Sequence, residues 1–173
     1  MIILTGASAS GKSEVGKILS KKYNINKVVT YTTRPMRLNE VDGIDYHFIS
    51  FTEFERLKDN DFFFETMKYN ENYYGTSLQS LNNDVYVILD FNGLRKYLNS
   101  NLKFTSFYLA CSEEERYRRM IERGDGELLA KERIEVDQKA FNIDNHSLVD
   151  YIIDVSNKTI DEIAEEIYLK SHK

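Results

Sequence analysis

Short apolar runs and stretches of helical periodicity alternate along this chain. Ile2 to Thr5 (IILT) is a continuous β-branched run, the pattern of a parallel strand buried on both faces. Over 12–23, Val15, Ile18 and Leu19 recur at helical spacing, so the opening reads as strand, glycine loop, helix. Lys27 to Tyr31 reads as a second strand. Val85 to Leu89 (VYVIL) is the clearest buried strand, with Asp90 at its carboxyl end. A short helix is predicted over 92–99 and another strand from Phe104 to Leu109. Ser112-x-x-Glu115 predicts the capped start of a charged helix, EEERYRRMIERGD, which Gly124 and Gly126 interrupt. A further helix is predicted over 127–141 and a last strand from Tyr151 to Val155. Thr159-x-x-Glu162 then caps an amphipathic helix carrying Ile160, Ile163 and Ile167.

Strands alternating with helices predict an α/β fold with a parallel sheet. The middle of the chain breaks the rhythm. From 30 to 81 aromatics become dense and helical periodicity is weak, except over 52–58, where Thr52-x-x-Glu55 reads as a capping box. This segment reads as an insertion with its own small core, placed between 1–29 and 82–173.

The length, 173 residues, fits one domain with a substantial core, and a 42% apolar, 29% charged composition is that of a soluble globular protein. The net charge of −5 offers no general basic field for nucleic acid or an anionic membrane, so an anionic ligand must be held by a local site. A single cysteine, Cys111, excludes an internal disulfide and suits a reducing, cytoplasmic setting. No apolar run approaches the roughly 18 residues of a membrane span. The opening MIILTG lacks a basic n-region and reads as a strand, not a signal peptide. His47 sits inside the DYHF string and reads as structural, His146 and His172 have no partner pattern, and no cluster of Cys, His and carboxylates has metal-site spacing.

The strongest chemical signal is GASAS GKS: Gly6, Ala7, Ser8, Ala9, Ser10, Gly11, Lys12 and Ser13. It fits Gly-x-x-x-x-Gly-Lys-Ser, follows an apolar strand and opens a helix. In such a loop, backbone N–H groups wrap a phosphate and the helix points its positive end at it. Lys12 would reach the β- and γ-phosphates, and the Ser13 hydroxyl can ligate Mg²⁺. This predicts binding of a nucleoside triphosphate such as ATP, and leaves open hydrolysis, transfer or simple holding.

A second constellation lies in the middle segment. It holds YTTRPMR (Tyr31 to Arg37), EVDGIDYHF (Glu40 to Phe48), FFFE (Phe62 to Glu65) and NYYGT (Asn72 to Thr76). Two arginines three apart beside threonine hydroxyls could clamp one phosphate, because the guanidinium fork matches its geometry. A tyrosine hydroxyl can donate to the same phosphate, and Glu65 could accept two N–H bonds from a purine edge.

In this order after the phosphate loop, these motifs resemble guanylate kinase, over Ile2 to about Lys170 and most densely over 30–76. The resemblance implies a three-layer P-loop kinase fold with a parallel sheet, an inserted mixed α/β monophosphate-binding domain and a helical lid, here about 118–140. It implies transfer of the γ-phosphoryl of ATP to GMP or dGMP with Mg²⁺, by a monomer or homodimer. Residue by residue, it implies that Arg34, Arg37, Tyr46 and Tyr74 hold the GMP phosphate with Thr30 nearby. Glu65 and Thr76 would contact guanine. Arg119, Arg123 and Arg133 fall where lid-side arginines neutralise the transferring group, alongside Lys12 and Arg34. Arg116 and Arg118 read as surface residues of a charged helix, with partners such as Glu115 and Glu122.

The chain also departs from the family pattern. Ala7 stands where a proline is usual and Ala9 where a glycine is usual. The usual Asp-x-Asp pair is Asp90 and Asn92, so one guanine-reading carboxylate becomes an amide. The segment between Thr76 and Val85 is shortened. A kinase with another monophosphate acceptor, a non-catalytic binding module and a P-loop hydrolase are the competing readings.

Overall fold

The computed structural model describes residues 1–69 and 71–173. Five parallel strands form the main sheet. In chain order they are β1 (Ile2–Thr5), β2 (Asn26–Lys27), β7 (Val85–Ile88), β8 (Thr105–Ala110) and β9 (Tyr151–Asp154), arranged β2-β7-β1-β8-β9. β1 lies at the centre and every residue in it is buried, which is why IILT reads as a continuous apolar run.

The two-residue alternation of a strand splits β1 between two cores. Ile2 and Leu4 pack with Val15 and Leu19 of α1 (Lys12–Tyr23) and with Ile163 and Ile167 of α6 (Ile160–Ser171). Ile3 faces the other way, into a core with Val87 and with Leu94 and Tyr97 of α3 (Phe91–Leu98). Helices therefore cover both faces, giving three layers. Gly16 sets the distance of α1 from the sheet: a Cβ there would lie 2.3 Å from the Tyr86 ring.

Residues 31–77 build a second, separate sheet of mixed strands, ordered β4-β3-β6-β5. Its strands are β3 (Tyr31–Thr32), β4 (His47–Phe48), β5 (Phe63–Tyr69) and β6 (Asn72–Ser77). α2 (Phe51–Asp59) packs on it through Phe54, fully buried and stacked on Phe63 with ring centroids 4.8 Å apart. The remaining helices, α4 (Glu113–Glu122) and α5 (Glu127–Ala140), follow β8.

Three sequence expectations need correction here. The strand expected over 27–31 is two strands in different sheets, because Asn26–Lys27 pairs with β7 whereas Tyr31–Thr32 pairs with β4 and β6. Thr52 does not cap α2. Ser50 does, its hydroxyl accepting the Glu53 N–H at 3.1 Å, so the helix starts before the expected box. Arg116 is not a surface residue: it is 4% exposed and ion-paired to the buried Asp137 on α5 at 3.0 Å. The Thr159–Glu162 capping box forms as expected, and no described helix is long and apolar enough to cross a membrane.

Candidate active site

The loop between β1 and α1 turns sharply at its first glycine. Gly6 has φ +143°, and a Cβ there would sit 2.9 Å from the Leu109 carbonyl oxygen, so neither the backbone nor the space admits a side chain. Ala9, where the family usually has glycine, also takes a left-handed φ of 60°. At the other end no side chain caps α1, in contrast to α2, α3, α4 and α6, which Ser50, Asp90, Ser112 and Thr159 cap. α5 also starts without a side-chain cap, but only α1 begins at the phosphate loop, where its positive end suits an anion.

Lys12 curls back over this loop. Its amino group donates to the Gly6 and Ala7 carbonyls at 2.6 and 2.8 Å. Burial pulls its pKa down to about 8, although the Asp137 carboxylate nearby works the other way. A phosphate there would favour the charged form.

A cavity of about 250 Å³ runs from this loop to the second sheet. Gly6, Ser8, Ala9, Lys12 and Ser13 line one end. Thr30, Arg34, Arg37, Tyr46 and Tyr74 line it farther along, with Glu65, Thr76 and Asp90, and Arg123 and Arg133 also reach it. The structure thus brings together in one space most residues that the sequence singled out in separate motifs. Ala7, Ser10, Gly11, Asn92 and Arg119 lie outside the cavity lining. Ser10 and Ala7 are buried in the loop, and Asn92 is exposed on the first turn of α3. Arg119 reaches the loop from outside, donating to the Ala9 carbonyl at 3.3 Å and to Glu115 at 2.8 Å.

The polar groups are held in place. Arg34 donates to Glu40 at 2.7 Å and lies over the Tyr46 ring, 5.4 Å from its centroid. Glu40 also accepts the Arg37 backbone N–H at 2.8 Å, so one carboxylate holds the Arg34 guanidinium and the backbone at Arg37. Arg123 and Arg133 share Asp125, with Arg133 at 2.7 Å. Burial lowers the pKa of Arg37, and the charges of Arg34, Arg133 and Arg123 lower it further. Four arginines converging in a chain of net charge −5 make a local field suited to an anion.

At the far end, Glu65 on β5 is opposite Thr76 on β6 in the strand register. Glu65 is 5% exposed, and the Thr76 hydroxyl donates to its Oε1 at 2.6 Å. Its Oε2 is buried and has no hydrogen-bond partner among the described residues. Burial pushes its pKa up to about 7, with Asp90 adding to the rise. Asp90 itself is committed to capping α3, accepting the Gly93 N–H at 2.8 Å, and burial raises its pKa too.

Sequence reasoning missed Glu40, Asp125, Tyr69, Arg116 and Asp137 as parts of this site. Asp137 was within reach of it, since helical spacing puts Asp137 on the face of Ala130 and Arg133. The partners of Asp137, by contrast, come from segments far apart in the chain.

A phosphate-binding loop at the carboxyl end of β1, facing a second cluster of arginines and tyrosines on a separate sheet, defines a P-loop phosphotransferase with a place for an acceptor. The guanylate kinase family model matches residues 1–170. The guanylate kinase of Buchnera aphidicola subsp. Schizaphis graminum is 36% identical over 193 aligned positions, covering all of this chain and 91% of that one. That of Buchnera aphidicola subsp. Baizongia pistaciae is 35% identical over 164, covering 88% of this chain and 78% of that one. The crystal structure of guanylate kinase from Anaplasma phagocytophilum superimposes with a TM-score of 0.73 at 26% identity, covering 98% of this chain and 82% of that one. A shikimate kinase from Acinetobacter baumannii shares the fold at 12% identity, with a TM-score of 0.55 and coverage of 98% and 90%. The chain belongs to the guanylate kinase family.

Proposed function

We propose that this protein transfers the γ-phosphoryl group of ATP to GMP, or to dGMP, giving ADP and GDP or dGDP. The observation that carries this reading is the single cavity shared by Lys12 and Ser13 at one end and Arg34, Arg37, Tyr46, Tyr74 and Glu65 at the other. A hydrolase needs only the first end. An acceptor phosphate oxygen attacks the γ-phosphorus in line, the bond to the bridging β–γ oxygen breaks, and ADP leaves. No covalent intermediate on the protein is required. The chain's part is to align two nucleotides and neutralise the charge on the transferring group, through Lys12, Arg34, Arg119, Arg123 and Arg133.

Within this reading residues 6–13 hold ATP. Arg34, Arg37, Tyr46, Tyr74 and Thr30 hold the acceptor phosphate, and Glu65, Thr76 and Asp90 face the base. Asn92, exposed on α3, has the weakest claim to base contact. Residues 1–29 and 82–173 form the catalytic core, 30–81 the acceptor-binding insertion and about 118–140 the lid. A cytoplasmic setting belongs to the same reading.

The donor set fits Mg²⁺ brought in by the triphosphate. Among the described residues no group of three or more His, Cys, Asp or Glu could hold a metal ion, and the Ser13 hydroxyl lines the phosphate end of the cavity. Mg²⁺ usually keeps water and phosphate ligands with few from protein, and it would neutralise phosphate charge there.

The deciding measurement is ATP-dependent phosphorylation of GMP, dGMP, AMP, CMP and UMP in one panel. GMP or dGMP as the best acceptor supports the assignment, and another preferred base, or ATP hydrolysis unaffected by any monophosphate, overturns it.

A further inference from the structure

One buried carboxylate ties together the segments that carry the two ends of the cavity. Asp137 on α5 is 1% exposed. Its Oδ2 accepts the Ser8 backbone N–H of the phosphate loop at 2.8 Å and Arg116 Nη1 of α4 at 3.0 Å. Its Oδ1 accepts the Tyr69 hydroxyl, at the end of β5, at 3.0 Å and the Ser8 hydroxyl at 3.3 Å. An ionised carboxylate has about four acceptor positions, and here four protein donors use them. Asp137 is therefore engaged as a structural acceptor and is not a free base, although it lines the same cavity as Lys12 and Glu65.

We propose that Asp137, held by Arg116, is a positioning residue that couples the donor-nucleotide end of the site to the acceptor-nucleotide end. This rests on the reading of the chain as a transferase between two nucleotides. Ser8 belongs to the loop that would hold the triphosphate. Tyr69 ends the strand that carries Glu65 and pairs with β6, which carries Tyr74 and Thr76. A displacement of β5 relative to the loop breaks the Tyr69–Asp137–Ser8 chain. A nucleotide that fixes one end therefore lowers the ordering cost left to the second, and linkage makes the effect reciprocal.

Tyr69→Phe is the informative variant, because it removes one hydroxyl and leaves the Arg116–Asp137 pair intact. Calorimetry would measure the affinity of a non-hydrolysable ATP analogue with and without GMP, and of GMP with and without the analogue. In the wild-type protein each ligand is expected to tighten the other by the same factor, on the order of five-fold or more. In Tyr69→Phe that factor falls towards one, while each ligand alone binds within about two-fold of wild type and each KM measured at saturating co-substrate rises by about the lost factor. The double variant Arg116→Leu/Asp137→Ala removes the charge pair as a unit and is expected to lose the coupling too. Should the double variant not fold, Tyr69→Phe decides alone. An unchanged coupling factor in Tyr69→Phe, or no coupling in the wild type, overturns the proposal. Failure of the wild type to phosphorylate GMP would instead remove the functional reading beneath it.

Discussion

The Thr76 hydroxyl donates to Glu65 Oε1 at 2.6 Å across the β5–β6 ladder, and the second oxygen of the same carboxylate is buried without a partner. One oxygen is thus fixed by the protein, and the other is left without a protein partner on a residue that lines the cavity. A buried carboxylate in this state is worth satisfying, and a purine edge offering two N–H groups would do so.

Acceptor binding should depend on pH through this group. Burial raises the Glu65 pKa to about 7. A folded-state value above the ordinary carboxylate range means that its contribution to stability is full below that range and is lost as pH rises through about 7. Guanine binding needs the ionised form, so the sign for the ligand is opposite. KM for GMP should rise as pH falls below about 7, approaching about ten-fold per unit. Calorimetry near pH 6 in buffers of different ionisation enthalpy should detect proton release on GMP binding. Glu65→Gln should weaken GMP and reduce that release to the part contributed by the nucleotide's own phosphate, whose second pKa is about 6.

Lys12→Met tests the donor end. It should lower kcat by about a hundred-fold or more, because charge on the transferring group loses a preorganised cation. Binding of GMP alone should change by less than about three-fold, as Lys12 lies at the other end of the cavity. Steady-state rates and GMP titration separate the two effects.

Arg37→Ala tests the acceptor clamp. Charge-assisted hydrogen bonds contribute about 1.5–3 kcal/mol, so GMP affinity should fall by about ten- to a hundred-fold. Guanosine, which lacks the phosphate, should bind with unchanged affinity. Glu40→Gln should produce a weaker version of the same loss, because Glu40 pairs with the Arg34 guanidinium and holds the backbone at Arg37. Titrations with the nucleotide and the nucleoside check this.

The buried ion pair should reveal itself in stability. Arg116→Leu leaves Asp137 buried without its cation and should cost about 3–5 kcal/mol in urea unfolding. Adding Asp137→Ala should recover only part of that loss: the charge pair is then removed as a unit, but the Ser8 and Tyr69 donors lose their acceptor.

The cap of α2 separates the sequence expectation from the structure. Ser50→Ala should cost about 1 kcal/mol, while Thr52→Ala should stay within about 0.5 kcal/mol. Urea titration of the two variants decides it.

Much of the molecule was legible because the signals are local. A buried parallel strand must be a continuous apolar run, and IILT and VYVIL are such runs. Thr159 caps α6 through a residue three positions on, within the reach of one helical turn. The second sheet was hard to read, because its two-residue strands β3 and β4 carry no period. Its stability comes from aromatic packing, as between Phe54 and Phe63, that no short window contains.

The sequence by itself determined the phosphate-loop motif and the arginine pair proposed as the acceptor clamp. Gly6, Lys12 and Ser13 lie within one turn of chain, and Arg34 and Arg37 are three residues apart. Only the tertiary structure decided that these stretches face one cavity, that Arg116 is buried rather than solvated, and that Asp137 meets Ser8 and Tyr69. Those contacts span 21 to 129 positions of the chain, so they depend on how helices and sheets pack. Composition and spacing do not encode packing at that range.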